Sequence, residues 1–400
     1  MTYLILIAWA IAFAWLLGAA LTLAALARLK FLKPTDEARL KTEDAPHVSI
    51  LLPARNEERR VLADCVRSLL AQDYVSFELI AVDDRSTDAT LELLRSLAEE
   101  DSRLRVIAGG ELPDGWLGKP NALRQALAAA RGSWVLTTDA DVIFHPSALR
   151  TALTYARAHD CDAVSLFPHF ETRTFWERVF TPTWVWGMLI FFPLDLVNRR
   201  RSVRLAIGMG AFFLMRREAL AAVRDFASVR ADVIEDVRLA EKLKRSGAYL
   251  RVEFAPDLIR TRMYSNLREL WEGSTKNLFA ALKFSYAFTL AYLVWTFSVA
   301  VVPVILLGVS AALAAAGVEG PWRDLLLPSS LALALHVVLL ALVCARCRVP
   351  PAYALAGPLG FALACAVMLT SALAVTTGRG VTWKGRRIYD HAGGLRPPRA

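Results

Sequence analysis

Apolar and polar positions divide this 400-residue chain into two kinds of stretch. Residues 2–27 carry no charged side chain, and uncharged runs return at 284–318, 325–345 and 349–378. Each reaches the roughly 20 residues a helix needs to cross about 30 Å of hydrocarbon. The pattern predicts an N-terminal transmembrane helix (1–30), a domain of soluble character (46–280), a C-terminal transmembrane region of about three helices (284–378) and a basic tail (379–400). The first run lacks a basic leader and is too long for a signal core, so it reads as a retained anchor. Residues 34–46 read as a polar linker.

Within the middle stretch, short β-branched runs alternate with helical ones. Strands are predicted at Val48–Leu52, Phe77–Val82, Leu104–Ala108 and Ser133–Thr138, and helices at Glu58–Gln72, Asp88–Glu100, Pro120–Arg131 and Val237–Ser246. This alternation points to an α/β fold with a largely parallel sheet. In such sheets ligands bind beyond the carboxyl ends of the strands. A further run, Val179–Leu194, is uncharged and rich in aromatics but too short to span a bilayer. It predicts an interfacial helix within 174–197.

Charge sets an orientation. Arg28, Lys30 and Lys33 follow the first run, which puts the middle domain in the cytoplasm. Arg346 and Arg348 return to that side, yet three later crossings would leave Arg379, Lys384, Arg386 and Arg387 outside. Either 349–378, with its prolines and glycines, is re-entrant, or another run does not cross. The net charge of +9 collects beside the apolar runs and at Arg199, Arg200, Arg201 and Arg204, which favours lipid headgroups over nucleic acid. The five cysteines are scattered, and the pair Cys344 and Cys347 lacks the partners of a zinc site.

Candidate chemistry gathers at the strand ends. Pro53-Ala54-Arg55-Asn56-Glu57 follows the first strand, Asp83-Asp84 the second, and Asp139-Ala140-Asp141 the fourth. Asp88 reads as a cap of the next helix. Like charges at neighbouring strand ends repel unless a cation or donors sit among them. In an extended segment Asp139 and Asp141 point to one side, where two carboxylates suit Mg2+ or Mn2+ together with substrate phosphates. Lys119, at a helix start beside Gly118, is placed to meet a phosphate. Glu235 and Asp236 open another helix, and Asp236 is a candidate general base.

Together these residues resemble family 2 glycosyltransferases of the GT-A fold, over residues 46–280. The resemblance implies that Pro53, Asn56, Glu57, Asp83, Asp84 and Lys119 hold the nucleotide, and that Asp139 contacts the ribose or donor sugar. It also implies that Asp141, with Asp139, binds the metal, that Asp236 with Glu235 is catalytic, and that Gly208 and Gly210 shape the acceptor side. Trp271 is the further acceptor-side candidate. The stretch from Arg262 to Asn277 and the segment Thr382-Trp383-Lys384-Gly385-Arg386 resemble lipid-directed members, such as ceramide glucosyltransferases and bacterial carotenoid or hopanoid-associated enzymes. Processive members carry an Arg before the Trp of this region; here Leu270 precedes Trp271, which favours a single transfer.

The expected function is inverting, metal-dependent transfer of a hexose from a nucleotide-diphosphate donor, a UDP-sugar, to a lipid hydroxyl at the cytoplasmic face of a bacterial inner membrane. The alternatives are a processive polysaccharide synthase, a nucleotidyl or sugar-phosphate transferase, and a channel subunit with a regulatory nucleotide site. The spans argue against the last, since they hold almost no polar lining besides His336.

Overall fold

The computed structural model describes residues 2–34, 45–200, 202 and 205–389. Most of the expected linker, Arg201, Arg204 and the end of the basic tail lie outside the described residues. Helix α1 (Thr2–Arg28) leads into an alternating series: β1 (Val48–Ala54), α2 (Leu62–Leu70), β2 (Phe77–Asp83), α3 (Thr90–Glu100), β3 (Leu104–Ala108), α4 (Gly118–Ala129) and β4 (Trp134–Thr137). Then come β5 (Val142–Phe144), α5 (Ala148–Ala158), β6 (Ala163–Phe167), β7 (His169–Phe170), α6 (Phe175–Phe191), α7 (Leu194–Val197), β8 (Phe213–Arg216) and α8 (Arg217–Ala222). The domain closes with α9 (Glu235–Arg245), β9 (Leu250–Phe254), β10 (Ile259–Thr261) and α10 (Leu267–Ala281).

Seven strands form one sheet in the order β3-β2-β1-β4-β8-β6-β9. β1, β2, β3 and β4 run parallel, whereas β8 is antiparallel to both its neighbours. Both faces of the sheet are covered: Val48, Ile50 and Leu52 enter one apolar cluster, and Leu51 the other. Such burial on two sides is what a continuous β-branched run encodes. The mostly parallel α/β sheet agrees with the expected class.

Two helices start later than their periodicity suggests. The predicted helix at Glu58 begins at Leu62, because the turn after β1 bonds sideways to the turn after β2. Asn56, with φ of 50°, accepts from the Thr87 amide at 2.9 Å, and the Glu57 amide donates to the Thr90 hydroxyl at 2.8 Å. Asp88 accepts from the Thr90 amide at 3.1 Å from one residue before the cap position, which Ala89 holds without a side-chain bond, so Asp88 supports the start of α3 but is not its cap.

Beyond the domain lie α11 (Tyr286–Ala300), α12 (Val302–Ala315), α13 (Trp322–Arg346) and α14 (Gly357–Thr376). A hairpin follows, of β11 (Val381–Trp383) and β12 (Arg386–Ile388). Among the described residues four helical stretches are long and apolar enough to cross a membrane: Thr2–Arg28, Tyr286–Ala315, Trp322–Arg346 and Pro351–Thr376. Helix α6 starts with a capping box between Thr174 and Glu177 and runs in among them. Its Trp186 stacks on Trp15 of α1 at 5.3 Å and donates to the Thr22 hydroxyl at 2.9 Å.

Both ends of the 349–378 run face the domain. At the start, Arg348 pairs with Asp257, and Arg178 of α6 donates to the Tyr353 hydroxyl at 3.0 Å. Gly360 lets α14 touch α6, since a Cβ there would lie 2.9 Å from the Val179 carbonyl oxygen. Near the end, Ser371 accepts from the Phe279 amide of α10 at 3.2 Å. The hairpin then rests on the strand ends.

Candidate active site

A cavity of about 270 Å³ opens beyond the carboxyl ends of β1, β2 and β4. Of the residues singled out in the sequence, Pro53, Glu57, Asp84, Lys119, Asp139, Asp141 and Glu235 border it. Asp139 and Asp141 do so from a tight turn between β4 and β5, not from the extended segment expected. From that turn both side chains border the same cavity, and Asp139 raises Asp141 as a like charge. Asp83 lies just behind the cavity, buried, and one of its carboxylate oxygens accepts from the Ser86 amide at 3.1 Å. Asn56 joins the two strand-end turns.

Lys119, in the first turn of α4, stands between two acids. Its ammonium is 2.6 Å from Asp139 and 2.7 Å from Glu235. Burial opposes its charge, but Asp139, Glu235 and Asp236 outweigh that and raise it well above the ordinary lysine value. Burial likewise disfavours ionised Asp139, and Lys119 overcomes it, so this carboxyl falls below the usual range. The sequence placed Lys119 toward a phosphate; the structure adds that it ties β4 to α9.

Asp236 opens α9. Its two oxygens accept from the Gly210 amide at 2.7 Å and the Val237 amide at 2.8 Å. Burial, then the neighbouring Glu235, pushes it up to about 7. Gly208 and Gly210 are small because this corner is crowded. A Cβ at Gly210 would fall 2.8 Å from Asp139 Oδ2 and 2.9 Å from Lys119 Nζ, and one at Gly208 would fall 2.6 Å from the Asp236 carbonyl oxygen. The two glycines thus seat the acid–lysine cluster.

Asp141 is pushed up to about 7, first by burial, then by Asp139 and Glu57. One buried oxygen each of Glu57 and Asp83 has no hydrogen-bond partner. Among the described residues no group of three or more His, Cys, Asp or Glu side chains forms a ready metal cage. A hard divalent ion that takes one or two carboxylates and completes its shell with phosphate oxygens and water does not need one. Acids held together until one resists ionisation fit such an ion.

Trp271 is not brought to the cavity. It packs beside an apolar cluster of Phe180, Leu270, Leu363 and Val367, at the junction of α10 with α6 and α14. Conversely, the cavity has a wall that site reasoning missed. Lys384 of the hairpin pairs with Glu57, while Arg386 reaches Asp84 at 2.7 Å and its carbonyl oxygen at 3.0 Å. Lys276 of α10 faces the ring of Trp383. The signal available in the sequence was the run Thr382–Arg386, noted for resemblance but given no role.

The sequence model described as Glycosyl transferase family 2 matches residues 49–224. Residues 49–224 are thus a glycosyltransferase family 2 domain. The match takes in every strand-end cluster from Pro53 to Asp141 and the two glycines, and stops before Glu235 and Asp236. A beta-monoglucosyldiacylglycerol synthase from Synechocystis is 34% identical over 173 residues, which are 41% of this chain and 35% of that protein. A 4,4'-diaponeurosporenoate glycosyltransferase from Staphylococcus aureus is 28% identical over 251 residues, 60% of this chain and 64% of the relative. The chain thus spans between about a third and two thirds of these relatives' length. A mannosyltransferase from Pyrobaculum calidifontis, solved with GDP-Man and Mn2+, shares 19% identity at a TM-score of 0.49, covering 93% of this chain and 98% of that one.

Proposed function

We propose that this protein transfers a hexose from a nucleotide-diphosphate donor, a UDP-sugar, to the hydroxyl of a lipid-type acceptor at a membrane surface, with inversion and in a single step. The observation that carries the reading is the meeting of Lys119, Asp139, Asp141 and Glu235 at one cavity of a family 2 domain joined to apolar helices, with Asp236 next to Glu235 and close to Lys119 behind the lining. Both relatives named above are, by name, enzymes of lipid-type glycosylation, which supports the acceptor class.

In this reading Glu57, Asp83, Asp84 and Lys119 hold the nucleotide, and Asp139 the ribose or sugar. Asp141 with Asp139 would hold Mg2+ or Mn2+, which when bound offsets charge on the departing diphosphate. Asp236 takes the acceptor proton while the acceptor oxygen bonds to the anomeric carbon and the bond from that carbon to the diphosphate oxygen breaks. The amides of Gly210 and Val237 hold the base in one orientation, so little alignment is left to chance at the moment of reaction. The absence of Arg before Trp271 supports one transfer over polymer synthesis.

The same reading gives the anchor, catalytic domain and tail the boundaries 1–30, 46–280 and 379–400, with α6 carrying the domain onto the membrane. The ion pairs of Arg348 with Asp257 and of Arg386 with Asp84 support a 349–378 run that does not cross, and α14, one unbroken helix, speaks against the re-entrant form of it. The chain then crosses at α1, at α11–α12 and at α13, and the domain and tail share the cytoplasmic side.

The test is incubation of the full chain with candidate nucleotide sugars, Mg2+ or Mn2+, and a membrane lipid extract. A new glycolipid with release of nucleoside diphosphate is expected. Release of pyrophosphate or nucleoside monophosphate would move the protein to the nucleotidyl or sugar-phosphate class, and a glycan ladder to the processive one.

A further inference from the structure

Three lysines border the cavity: Lys119, Lys276 and Lys384. Two of them are held by carboxylates, Lys119 by Asp139 and Glu235, and Lys384 by Glu57. Lys276 is different. Its ammonium has no hydrogen bond or ion pair among the described residues and rests 4.8 Å from the centroid of the Trp383 ring. Burial weighs most against its ionisation, Lys119 and Lys384 add to that as like charges, and Glu235 and Asp139 act the other way without pairing with it. Of the three ammonium groups, that of Lys276 is the one no carboxylate contacts, so it is the one open to an anion that enters the cavity.

Its position is built. Gly273, one turn before Lys276 on α10, clears space for two rings: a Cβ there would lie 2.4 Å from Tyr264 and 3.0 Å from Trp383. Trp383 therefore sits close against α10, and its face fixes the direction of the Lys276 side chain toward the cavity. A cation over an aromatic face keeps its charge available, because the ring carries no formal negative charge to cancel it.

We propose that Lys276 is a donor-diphosphate residue: it binds the phosphate groups of the nucleotide sugar and takes up charge as the nucleoside diphosphate departs, with Trp383 as its positioning residue. This rests on the glycosyltransferase reading above. The acids that border the cavity do not occupy Lys276, so the remaining anion is the one the substrate brings. A charge-assisted bond from ammonium to phosphate is among the stronger polar contacts in proteins.

Direct binding of UDP, GDP, UMP and GMP to the full chain in detergent tests this without turnover. The wild-type chain should bind one nucleoside diphosphate more tightly than the matching monophosphate. Lys276→Met should weaken the diphosphate about tenfold and leave the monophosphate within about twofold, and Lys276→Arg should restore most of the loss. The proposal is overturned if Lys276→Met leaves diphosphate affinity intact, or if it weakens both nucleotides alike, the mark of a residue that merely supports the hairpin. Equal melting temperatures for the two variants separate lost charge from lost fold. A wild-type chain that binds none of the four nucleotides overturns the glycosyltransferase reading itself, and Lys276's role with it.

Discussion

At Asp236 two amides hold a carboxyl that burial and Glu235 push up to about 7. A base must be ionised to accept a proton, so activity should fall as pH drops below about 7 and level off above it, with kcat/KM losing about tenfold per pH unit on the acid side. A flat profile from pH 5 to 8 would remove Asp236 from the role. Asp236→Asn keeps the shape but puts an NH2 in place of one of the two oxygens that accept from the Gly210 and Val237 amides, and it cannot take the proton. It should lower kcat by about 10²–10⁴-fold with donor affinity within about twofold. At Gly210 the added methyl of Gly210→Ala presses on Asp139 and Lys119, both ends of flexible side chains. The pair should shift, not the fold: kcat falls about 10²-fold while the melting temperature barely moves. Asp139, Asp141 and Asp236 stood out in the sequence because acids at strand and helix ends break the apolar pattern around them. Lys276 did not, since a lysine on an amphipathic helix reads as solvated until its surroundings are known.

Elements were legible in proportion to how local their causes are. β3 spans the residues its pattern gives, because a run between two polar turns needs no distant partner. Helix α2 began four residues later than its periodicity suggested, because Asn56 and Glu57 bond across to Thr87 and Thr90. Nothing near residue 57 announces that the turn after another strand will claim those groups. The hairpin β11–β12 is the extreme case: Lys384 meets Glu57 across more than 300 residues. Its two cations sit on Glu57 and Asp84, so the hairpin forms a wall of the cavity, which in the proposed reading is the donor site. Replacing both, Lys384→Ala with Arg386→Ala, should raise donor KM by about tenfold or more and speed proteolysis near Gly385, with kcat affected less. An unchanged donor KM alongside faster cleavage would make the hairpin a bystander.

For the whole molecule, the open point in the sequence was a count of crossings that left a basic tail on the wrong side. Counting apolar residues could not settle it, because length says what a run is able to do and packing says what it does. The 349–378 run has the length to span, yet its first residues are tied to the domain through Arg348 and Tyr353, and the hairpin at its end is tied there through Arg386. A straight crossing would put those two anchor points on opposite faces of a bilayer about 30 Å thick. A run that does not cross, with α14 as one unbroken helix along the domain side, keeps both, and lets Arg346, Arg348, Arg379 and Lys384 share the side of Arg28 and Lys30, as the distribution of positive charge favours. The prediction is an accessibility pattern in sealed membrane vesicles, read with a membrane-impermeant maleimide on chains stripped of their five native cysteines. Cysteines placed at Glu319 and at Thr382, both exposed, should label from opposite faces, and a cysteine at Asp257 should label from the same face as Thr382. If Thr382 and Glu319 label together while Asp257 does not, α14 crosses the bilayer, and the hairpin cannot be a wall of the donor site in the membrane-embedded protein.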